Sequence, residues 1–327
     1  MLGHDPTAST AENYRRFATL EARGTSPVYE AICDGISGDP DLLAFLGGLA
    51  PRCRQPNLLL GVVKYAFGEQ ATYEAFRETV LAHRDRVAEL LATRRTQTNE
   101  PARCAAMLPI LASLPGPLAL LEVGASAGLC LLPDRYGYRY GDHVVGEGPP
   151  VIDCRLVGDV TPPLPTALPE VVWRRGIDLE PLDVRDRDHV RWLESLVWPG
   201  QTARERNLRE SLALARDDPP EIVEGDLTEV LEDVASDAPP EATLVVFHTA
   251  VLAYLTVEQR VDVGRRVEAL GATWIASEAP GILGVPARPG ALMERGHFVV
   301  VVDGRHEVAR MGPHGDWLKW ENRCTAR

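Results

Sequence analysis

The spacing of hydrophobic positions divides the chain into two parts. Residues 1 to about 93 carry helical signals and hardly any strand signal. Asp39-Pro40 and Thr72 are typical helix starts, and the apolar residues after Thr72 recur roughly on one helix face. The pattern therefore predicts an all-α N-terminal lobe over residues 1–98.

From residue 99 onward, short apolar runs alternate with helical periods. The first helix is predicted at 99–114 and the first strand at 118–123. Further strands are predicted at Val171–Arg174, Glu221–Val223, Thr243–Phe247 and Thr273–Ser277, and further helices at 186–197, 201–216 and 256–270. This alternation predicts an α/β domain over residues 99–327, with a doubly wound, Rossmann-like parallel sheet covered on both faces.

Two segments depart from the alternation. His297–Asp303 and His306–Met311 flank Asp303-Gly304, a two-residue turn signal, and so predict a C-terminal antiparallel hairpin. Residues 133–170 are rich in Pro, Gly and Tyr and are predicted to form an inserted flap over the carboxyl edge of the sheet. A packed connector without ligand contact is the alternative.

Charge and composition exclude several classes of function. The net charge of -13 argues against a nucleic-acid substrate, because phosphate binding needs a basic face. The six cysteines form no C-x-x-C and no metal-type pairing with the eight histidines, so no metal site is expected. The N-terminus lacks a signal-peptide core, and prolines interrupt the one long uncharged run. We expect a cytoplasmic protein without a membrane segment, acting on a small molecule that is free or carrier-bound; its oligomeric state is left open.

The stretch 118–128 carries the strongest functional signal, because an apolar strand ends at Glu122 and small residues follow. Gly124 and Gly128 lack the Cβ atoms that would hold a ligand away from the loop, and a following helix would offer free N–H groups. The loop is predicted to contact a nucleotide-like ligand. The same residues also spell Gly-x-Ser-x-Gly, the motif in which Ser126 would be the nucleophile of a serine hydrolase.

The order of elements disfavours the serine hydrolase. A nucleophile elbow normally follows several sheet strands, whereas no predicted strand precedes Leu118. A triad could still be drawn from Ser126 with Asp226 and His248, or with Asp303 and His314. The hydrolase therefore stays a minor alternative.

Polar side chains stand at the carboxyl ends of the predicted strands, where doubly wound sheets bind ligands. In chain order they are Glu122, Asp178, Asp226, His248 and Glu278. A carboxylate after the second strand can accept hydrogen bonds from both hydroxyls of a ribose. His248 could serve as a general base, and a buried core histidine is the alternative.

The segment 94–100 joins the two predicted parts. Arg94 and Arg95, beside hydrogen-bonding side chains that include Asn99, could hold a carboxylate, sulfate or phosphate. The alternative is a helix end followed by an Asn99 N-cap. His314, between Pro313 and Gly315, is a further candidate or only a turn residue.

With these residues in view, residues 100–327 resemble class I S-adenosylmethionine-dependent methyltransferases, and the whole chain is most similar to the DUF2332 family of uncharacterised, mostly actinobacterial proteins. The motifs that carry the family resemblance are Thr96–Glu100, Glu122–Gly128, Asp134–Tyr136, Gly176–Leu179, Pro181–Val184, Val245–Thr249 and Pro313–Gly315. The methyltransferase resemblance implies that Glu122, Gly124 and Gly128 contact the methionyl part of the cofactor. Ser126 takes the place of the usual middle glycine of this loop.

The same resemblance implies that Asp178 contacts the ribose and Asp226 the adenine amino group. We therefore expect an enzyme of in-line displacement at carbon, most simply with the methyl group of S-adenosylmethionine as electrophile. An alternative biosynthetic form needs no cofactor: an intramolecular displacement closes a small ring and expels an oxyanion such as sulfate. The candidate catalytic residues are Glu122, Arg95, Asn99, His248 and His314. A non-catalytic protein that binds a nucleoside or a partner is the third hypothesis.

Overall fold

The computed structural model describes residues 8–285 and 296–321. The chain divides into two compact units. One contains the described residues up to Thr98 together with Arg187–Glu205, and the other contains Asn99–Asp186 and the described residues from Arg206 onward. Within the described residues, no helix combines the length and the apolar character that a membrane span requires.

The first unit is helical, as the sequence pattern predicts. Its helices are α1 (Thr10–Phe17), α2 (Pro27–Gly38), α3 (Pro40–Gly47), α4 (Pro56–Phe67), α5 (Tyr73–Ala82) and α6 (Arg84–Thr93), with a π-helical turn at Ala18–Ala22 and a 3-10 turn at Pro51–Arg54. Thr72 caps α5 through its side chain. The apolar run after Thr72 forms two helices and not one, because the chain leaves helical geometry at His83 (φ -123°).

The stretch Arg187–Glu205 packs with these helices, although its sequence position lies between strands of the sheet. Trp192 is fully buried and lies edge-on to Tyr65, with ring centroids 5.8 Å apart. Its indole N–H donates to the Arg95 carbonyl at 3.1 Å, and the Lys64 ammonium donates to the Val197 carbonyl at 2.8 Å. The amphipathic helix in this stretch therefore buries its apolar face in the helical unit.

Asp39 is a buried anchor of the helical unit. Its Oδ1 accepts the backbone N–H groups of Asp41 and Leu42 at 2.8 and 3.1 Å, which caps α3 as the sequence predicts. Its Oδ2 accepts the Tyr73 hydroxyl and the Arg77 Nε–H. Burial alone would raise the pKa of Asp39, but these hydrogen bonds outweigh burial and lower it to about 2.

The second unit is built on a nine-stranded sheet. The strands of this sheet are β1 (Leu118–Val123), β5 (Arg155–Leu156), β6 (Val171–Asp178), β7 (Glu221–Glu224), β8 (Thr243–Thr249), β9 (Thr273–Glu278), β10 (Phe298–Val302), β11 (His306–Met311) and β12 (Trp317–Trp320), while β2 (Gly137–Tyr140), β3 (His143–Val145) and β4 (Val151–Asp153) lie outside it. The helices after α6 are α7 (Cys104–Leu111), α8 (Arg187–Ser195), which belongs to the first unit, α9 (Thr202–Asp217), α10 (Leu227–Ala235) and α11 (Val257–Ala269). The order across the large sheet is β5-β12-β11-β10-β9-β8-β1-β6-β7.

The α/β class and the C-terminal hairpin are both confirmed. Strands β7, β6, β1, β8 and β9 are parallel, and β10 and β11 pair antiparallel around a turn in which Asp303 and Gly304 both have positive φ. The sheet does not end at this hairpin, because β12 adds an antiparallel strand and β5 pairs parallel to β12. Both strands are short, and neither was predicted from the sequence.

Residues 137–153 supply a small three-stranded sheet of order β3-β2-β4. Three buried tyrosines lie on or beside β2: Tyr136, Tyr138 and Tyr140. Each hydroxyl donates to a backbone carbonyl at 2.6–2.7 Å, and the acceptors are Leu129, Pro133 and Ala105. The tyrosine hydroxyls are therefore satisfied inside the protein, and the flap over the carboxyl edge stays a prediction.

One face of the large sheet packs against α10 and α11. Leu121 and Val123 of β1, with Val246 of β8, form a hydrophobic cluster with Leu231 and Val267 of these helices. Alternate residues of a strand point to opposite faces. One set of alternate side chains of β1, β8 and β9 therefore points to the face that packs against α10 and α11, and the other set points to the opposite face.

We expect Asp39→Asn to lower the free energy of unfolding by about 2 kcal/mol at neutral pH, because a pKa lowered from 3.8 to about 2 corresponds to that difference. The carboxylate stabilises the fold above the unfolded-state pKa, and this stabilisation is lost as the pH falls through the folded-state pKa. Urea unfolding of the wild type and the variant at several pH values measures it.

The matched control is Asp41→Asn, which removes an exposed carboxylate that also binds Arg77. We expect a change of at most about 1 kcal/mol there. The gap between wild type and Asp39→Asn should narrow as the pH falls from about 4 toward 2. A gap that stays constant over this range would contradict the assignment.

Candidate functional site

The strand register divides the polar strand-end residues between two faces of the sheet. Glu122 of β1 is paired with Phe247 of β8, so both side chains point to the same face. His248, the next residue, points to the opposite face, which is the face covered by α10 and α11. Glu122 and His248 therefore lie at the same carboxyl edge but on different faces of the sheet. We call these the Glu122 face and the α10–α11 face.

On the α10–α11 face, His248 and Glu278 form a buried pair. His248 Nδ1 lies 2.8 Å from Glu278 Oε1, and both side chains are at most 1% exposed. The same oxygen accepts the backbone N–H groups of Val251 and Leu252 at 2.8 and 2.9 Å. Within the described chain, His248 Nε2 and Glu278 Oε2 are buried without a hydrogen-bond partner. The pair thus fixes the loop that follows β8.

The carboxylates that a serine-hydrolase triad would need are engaged elsewhere. Asp226 Oδ1 accepts the backbone N–H and the hydroxyl of Thr228 at 2.8 and 2.7 Å, which caps α10 and lowers the pKa of Asp226. Asp303 Oδ1 accepts the Trp274 N–H at 2.9 Å. The carboxylate beside His248 is Glu278, so the triad drawn from Asp226 and His248 does not form.

The loop after β1 is held by protein contacts. Gly124 and Gly128 both have φ of 71°, and Ser126 has φ of 54°. A Cβ on Gly124 would lie 2.4 Å from Val251 Cγ2, and one on Gly128 would lie 2.9 Å from Pro220 Cβ. Glycine is therefore needed at both positions for the packing of this chain itself.

The helix expected after this loop is absent from the described structure. Leu129–Leu131 form a single 3-10 turn, and Leu132 leaves helical geometry because it precedes Pro133. Asn99 Oδ1 accepts the Leu129 N–H at 2.8 Å. The expectation of a helix N-terminus that offers free N–H groups to a ligand was thus wrong, and Asn99 instead supports the turn.

Asp178, at the end of β6, binds the two loops beside it. Its Oδ2 accepts the Ser126 N–H at 2.8 Å, and its Oδ1 accepts the Glu180 N–H at 2.9 Å. Both oxygens of the carboxylate therefore already accept a backbone hydrogen bond. This role explains an acid at this position without a ribose.

Glu122 is the central residue of the Glu122 face. It is 1% exposed, and within the described residues its Oε2 is buried without a hydrogen-bond partner. Burial is the largest cause that raises the pKa of Glu122 well above its usual range; Cys130 and Asp178 add to the rise, and the Arg103 cation opposes it. A buried carboxyl with a raised pKa and an unsatisfied oxygen is typical of a functional site.

Arg103 is a buried cation of this face, and the sequence reasoning missed it. Its side chain donates from Nε to the Pro313 carbonyl at 2.9 Å and from Nη1 to Thr249 Oγ1 at 3.1 Å. Its guanidinium carbon lies 5.3 Å from the centre of the Phe298 ring. One signal was present in the sequence, because Arg103 is the single charged residue between Glu100 and Glu122.

His314 and Arg95 have different surroundings. His314 Nδ1 lies 3.8 Å from Glu100 Oε2, and a Cβ on Gly315 would lie 2.2 Å from the Ala102 carbonyl oxygen, so this loop packs tightly on residues 100–103. Arg95 belongs to the helical unit. Arg94 also belongs to that unit, where it binds Asp188 and stacks 4.7 Å from the Tyr65 ring.

A family model described as "uncharacterized protein conserved in bacteria (DUF2332)" matches residues 11–320, nearly the whole chain. The protein belongs to the DUF2332 family. Comparisons with curated proteins and with solved structures found no match. Membership of DUF2332 brings no activity with it, and the methyltransferase-like fold stays a prediction.

We expect Gly124→Ala to lower the free energy of unfolding by about 3 kcal/mol, because the new methyl group would both strain a positive φ and overlap Val251. Gly141→Ala is the matched control: it has φ of 65°, and its Cβ would meet no described atom within 4 Å. Strain alone should lower its stability by about 1 kcal/mol. Chemical denaturation of both variants measures the difference.

The double variant Gly124→Ala/Val251→Ala separates the two causes. Removing the valine methyl groups should recover part of the loss, so the two substitutions should be non-additive. Additive losses in the double-mutant cycle would mean that Val251 does not impose glycine at position 124.

Proposed function

We propose that this protein is an enzyme that catalyses in-line displacement at carbon on a small molecule, and that Glu122 is its proton acceptor. The observation that carries the proposal is the buried Glu122 carboxyl, whose Oε2 has no hydrogen-bond partner within the described residues. A buried, unpaired carboxyl is unfavourable for the fold by itself. A bound substrate that donates a hydrogen bond to Oε2 would offset this penalty.

The raised pKa of Glu122 suits this role. Once it is ionised, a carboxylate with a raised pKa is a stronger base than an exposed one, and it can take a proton from a weakly acidic amine or hydroxyl. In the displacement, the lone pair of the nucleophile attacks carbon while the bond from carbon to an oxyanion breaks. The oxyanion leaves with the bonding pair, and the proton of the nucleophile moves to Glu122.

Arg103 complements Glu122 on the same face. Its charge opposes the rise in the pKa of Glu122, and its guanidinium contacts Thr249 and Phe298 on the same face. A cation in a buried site stabilises the negative charge that develops on a departing oxyanion. Arg103 is therefore the residue toward which the oxyanion leaves.

The contacts around the glycine loop fit S-adenosylmethionine poorly. Both oxygens of Asp178 accept backbone N–H groups, and the space beyond the Gly124 and Gly128 Cα atoms is taken by Val251 and Pro220. Asp226 caps α10. We therefore favour the form that closes a small ring without a cofactor, and we derive no step through S-adenosylmethionine.

His248 is then better described as a positioning residue than as the base. It lies on the face opposite to Glu122, and its Nδ1 is bound to Glu278. Through Glu278 it holds the Val251 backbone, and Val251 in turn covers Gly124. The methyl-transfer form, in which His248 or a carboxylate accepts the proton, stays a prediction that ligand binding can test.

Calorimetric titration with S-adenosylmethionine and S-adenosylhomocysteine distinguishes the two forms. We expect no saturable binding of either compound to the wild type, because the proposed cofactor contacts are made by the chain itself. Asp178→Ala is titrated beside it, with Asp142→Ala, an exposed acid of the same unit, as control. Micromolar binding that only Asp178→Ala abolishes would overturn the cofactor-free form and establish a cofactor pocket.

Infrared spectroscopy tests the protonation of Glu122 directly. We expect the carbonyl band of a protonated carboxylic acid to persist in the wild type to higher pH than that of exposed carboxyls, to be lost as Glu122 ionises, and to be absent from Glu122→Gln, because burial raises the pKa of Glu122. Glu224→Gln, which changes an exposed acid at the end of β7, should leave the band unchanged.

The pH dependence of thermal unfolding gives a second test of the raised pKa of Glu122. A raised folded-state pKa stabilises the fold at low pH, and this contribution is lost as the pH rises through that pKa. Glu122→Gln should therefore gain stability relative to the wild type as the pH increases above the usual carboxyl range. A band that survives in Glu122→Gln, together with a stability difference independent of pH, would refute the assignment of Glu122.

A further inference from the structure

A buried serine lies on β9, the strand between the two strands that Arg103 contacts. Ser277 of β9 is paired with Thr249 of β8 on one side and with Val300 of β10 on the other. Its hydroxyl is fully buried and has no hydrogen-bond partner in the described part of the chain. A buried hydroxyl without a partner is a donor that a ligand could satisfy.

The register places this hydroxyl on the Glu122 face. Thr249 is two residues after Phe247, which is paired with Glu122, and Thr249 is paired with Ser277. Side chains of paired residues and of alternate residues share a face of the sheet. Glu122, Thr249 and Ser277 therefore point to the same side.

Arg103 extends across this position. It donates to Thr249 Oγ1 at 3.1 Å on β8, and its guanidinium carbon lies 5.3 Å from the Phe298 ring on β10. Strand β9, which carries Ser277, lies between those two strands. The Arg103 charge therefore contacts the strands on both sides of β9, near the carboxyl end at which Ser277 lies.

We propose that Arg103, Thr249 and Ser277 form a subsite for an oxyanion, and that this subsite holds the anionic group of the substrate. Arg103 supplies the positive charge, and the Ser277 hydroxyl supplies a donor. Thr249 Oγ1 accepts from Arg103, so its own O–H can also donate to the anion. Hydrogen bonds to a charged group are stronger than those between neutral groups.

The neighbouring acids define what the subsite can accept. Glu122 and Asp178 both point to this face, because Gly176, two residues before Asp178 on β6, is paired with Glu122; Glu100 lies beside His314. Burial raises the pKa of Glu122, so this acid repels a bound anion only at the higher pH at which it is ionised. This inference rests on the proposed function for the identity of the anion as the departing group, while the binding of the anion itself can be tested separately.

Inorganic sulfate is the probe, because it is the simplest tetrahedral oxyanion. Calorimetric titration of the full chain with sulfate, at ionic strength kept constant with sodium chloride, should show saturable binding of one ion. Ser277→Ala should weaken this binding about tenfold or more, as expected for a lost hydrogen bond to a charged group. Phosphate and acetate titrations distinguish a tetrahedral oxyanion from a carboxylate.

Ser26→Ala is the matched control, since Ser26 is also fully buried and its hydroxyl has no partner among the described residues of the helical unit. It should bind sulfate as the wild type does. The near-ultraviolet circular dichroism of each variant checks that the fold is intact, and Thr249→Val provides a second change at the subsite if Ser277→Ala does not fold.

Two results would overturn the subsite. One is no saturable binding of sulfate, phosphate or acetate by the wild type, and the other is unchanged sulfate affinity in both Ser277→Ala and Thr249→Val, which would mean an adventitious ion only. Sulfate binding together with a Glu122 band that titrates like that of an exposed carboxyl would refute the assignment of Glu122 and leave the subsite standing. A raised Glu122 pKa without saturable anion binding would refute only the subsite.

Discussion

The carboxyl edge of the sheet depends on one oxygen atom. Glu278 Oε1 accepts three N–H groups, from the His248 ring and from the backbones of Val251 and Leu252. These bonds connect the ends of two neighbouring strands with the loop that follows β8. That loop contacts the position of Gly124, so the loop after β1 is shaped by the same interaction. Loss of this carboxylate would leave all three donors without this acceptor, which is unfavourable for the two that are buried.

The positions of the main elements followed from the sequence, because each has a strong periodic pattern. The helical lobe, the five parallel strands and the terminal hairpin were all predicted within a few residues. The failures have local causes. Pro133 stopped the helix expected after Gly128, and His83 divided a run whose hydrophobic pattern continued through it. A two-residue edge strand such as β5 is too short to show an alternating pattern in the sequence.

The candidate site was predicted less completely, because a sequence shows which residues end the strands but not the face to which each one points. Glu122 and His248 stand at the same edge, yet the register of β1 against β8 separates them. Contacts between distant residues were also hidden: nothing near Arg103 in the sequence indicates Thr249 or Phe298. Asp178 and Asp226, which the resemblance assigned to a ribose and an adenine, accept backbone N–H groups. An acid at the end of a strand looks the same in the sequence in either role.

The outer edge of the large sheet is completed by residues that are far apart in the chain. Strand β5 pairs with β12, so that Arg155 lies opposite Trp317. A nascent chain must therefore leave β5 without its neighbour until β12 has emerged from the ribosome. Pairings of such long sequence separation form slowly. This edge is consequently the part of the second unit that forms last during synthesis, and until then the cell must keep it from pairing with other strands.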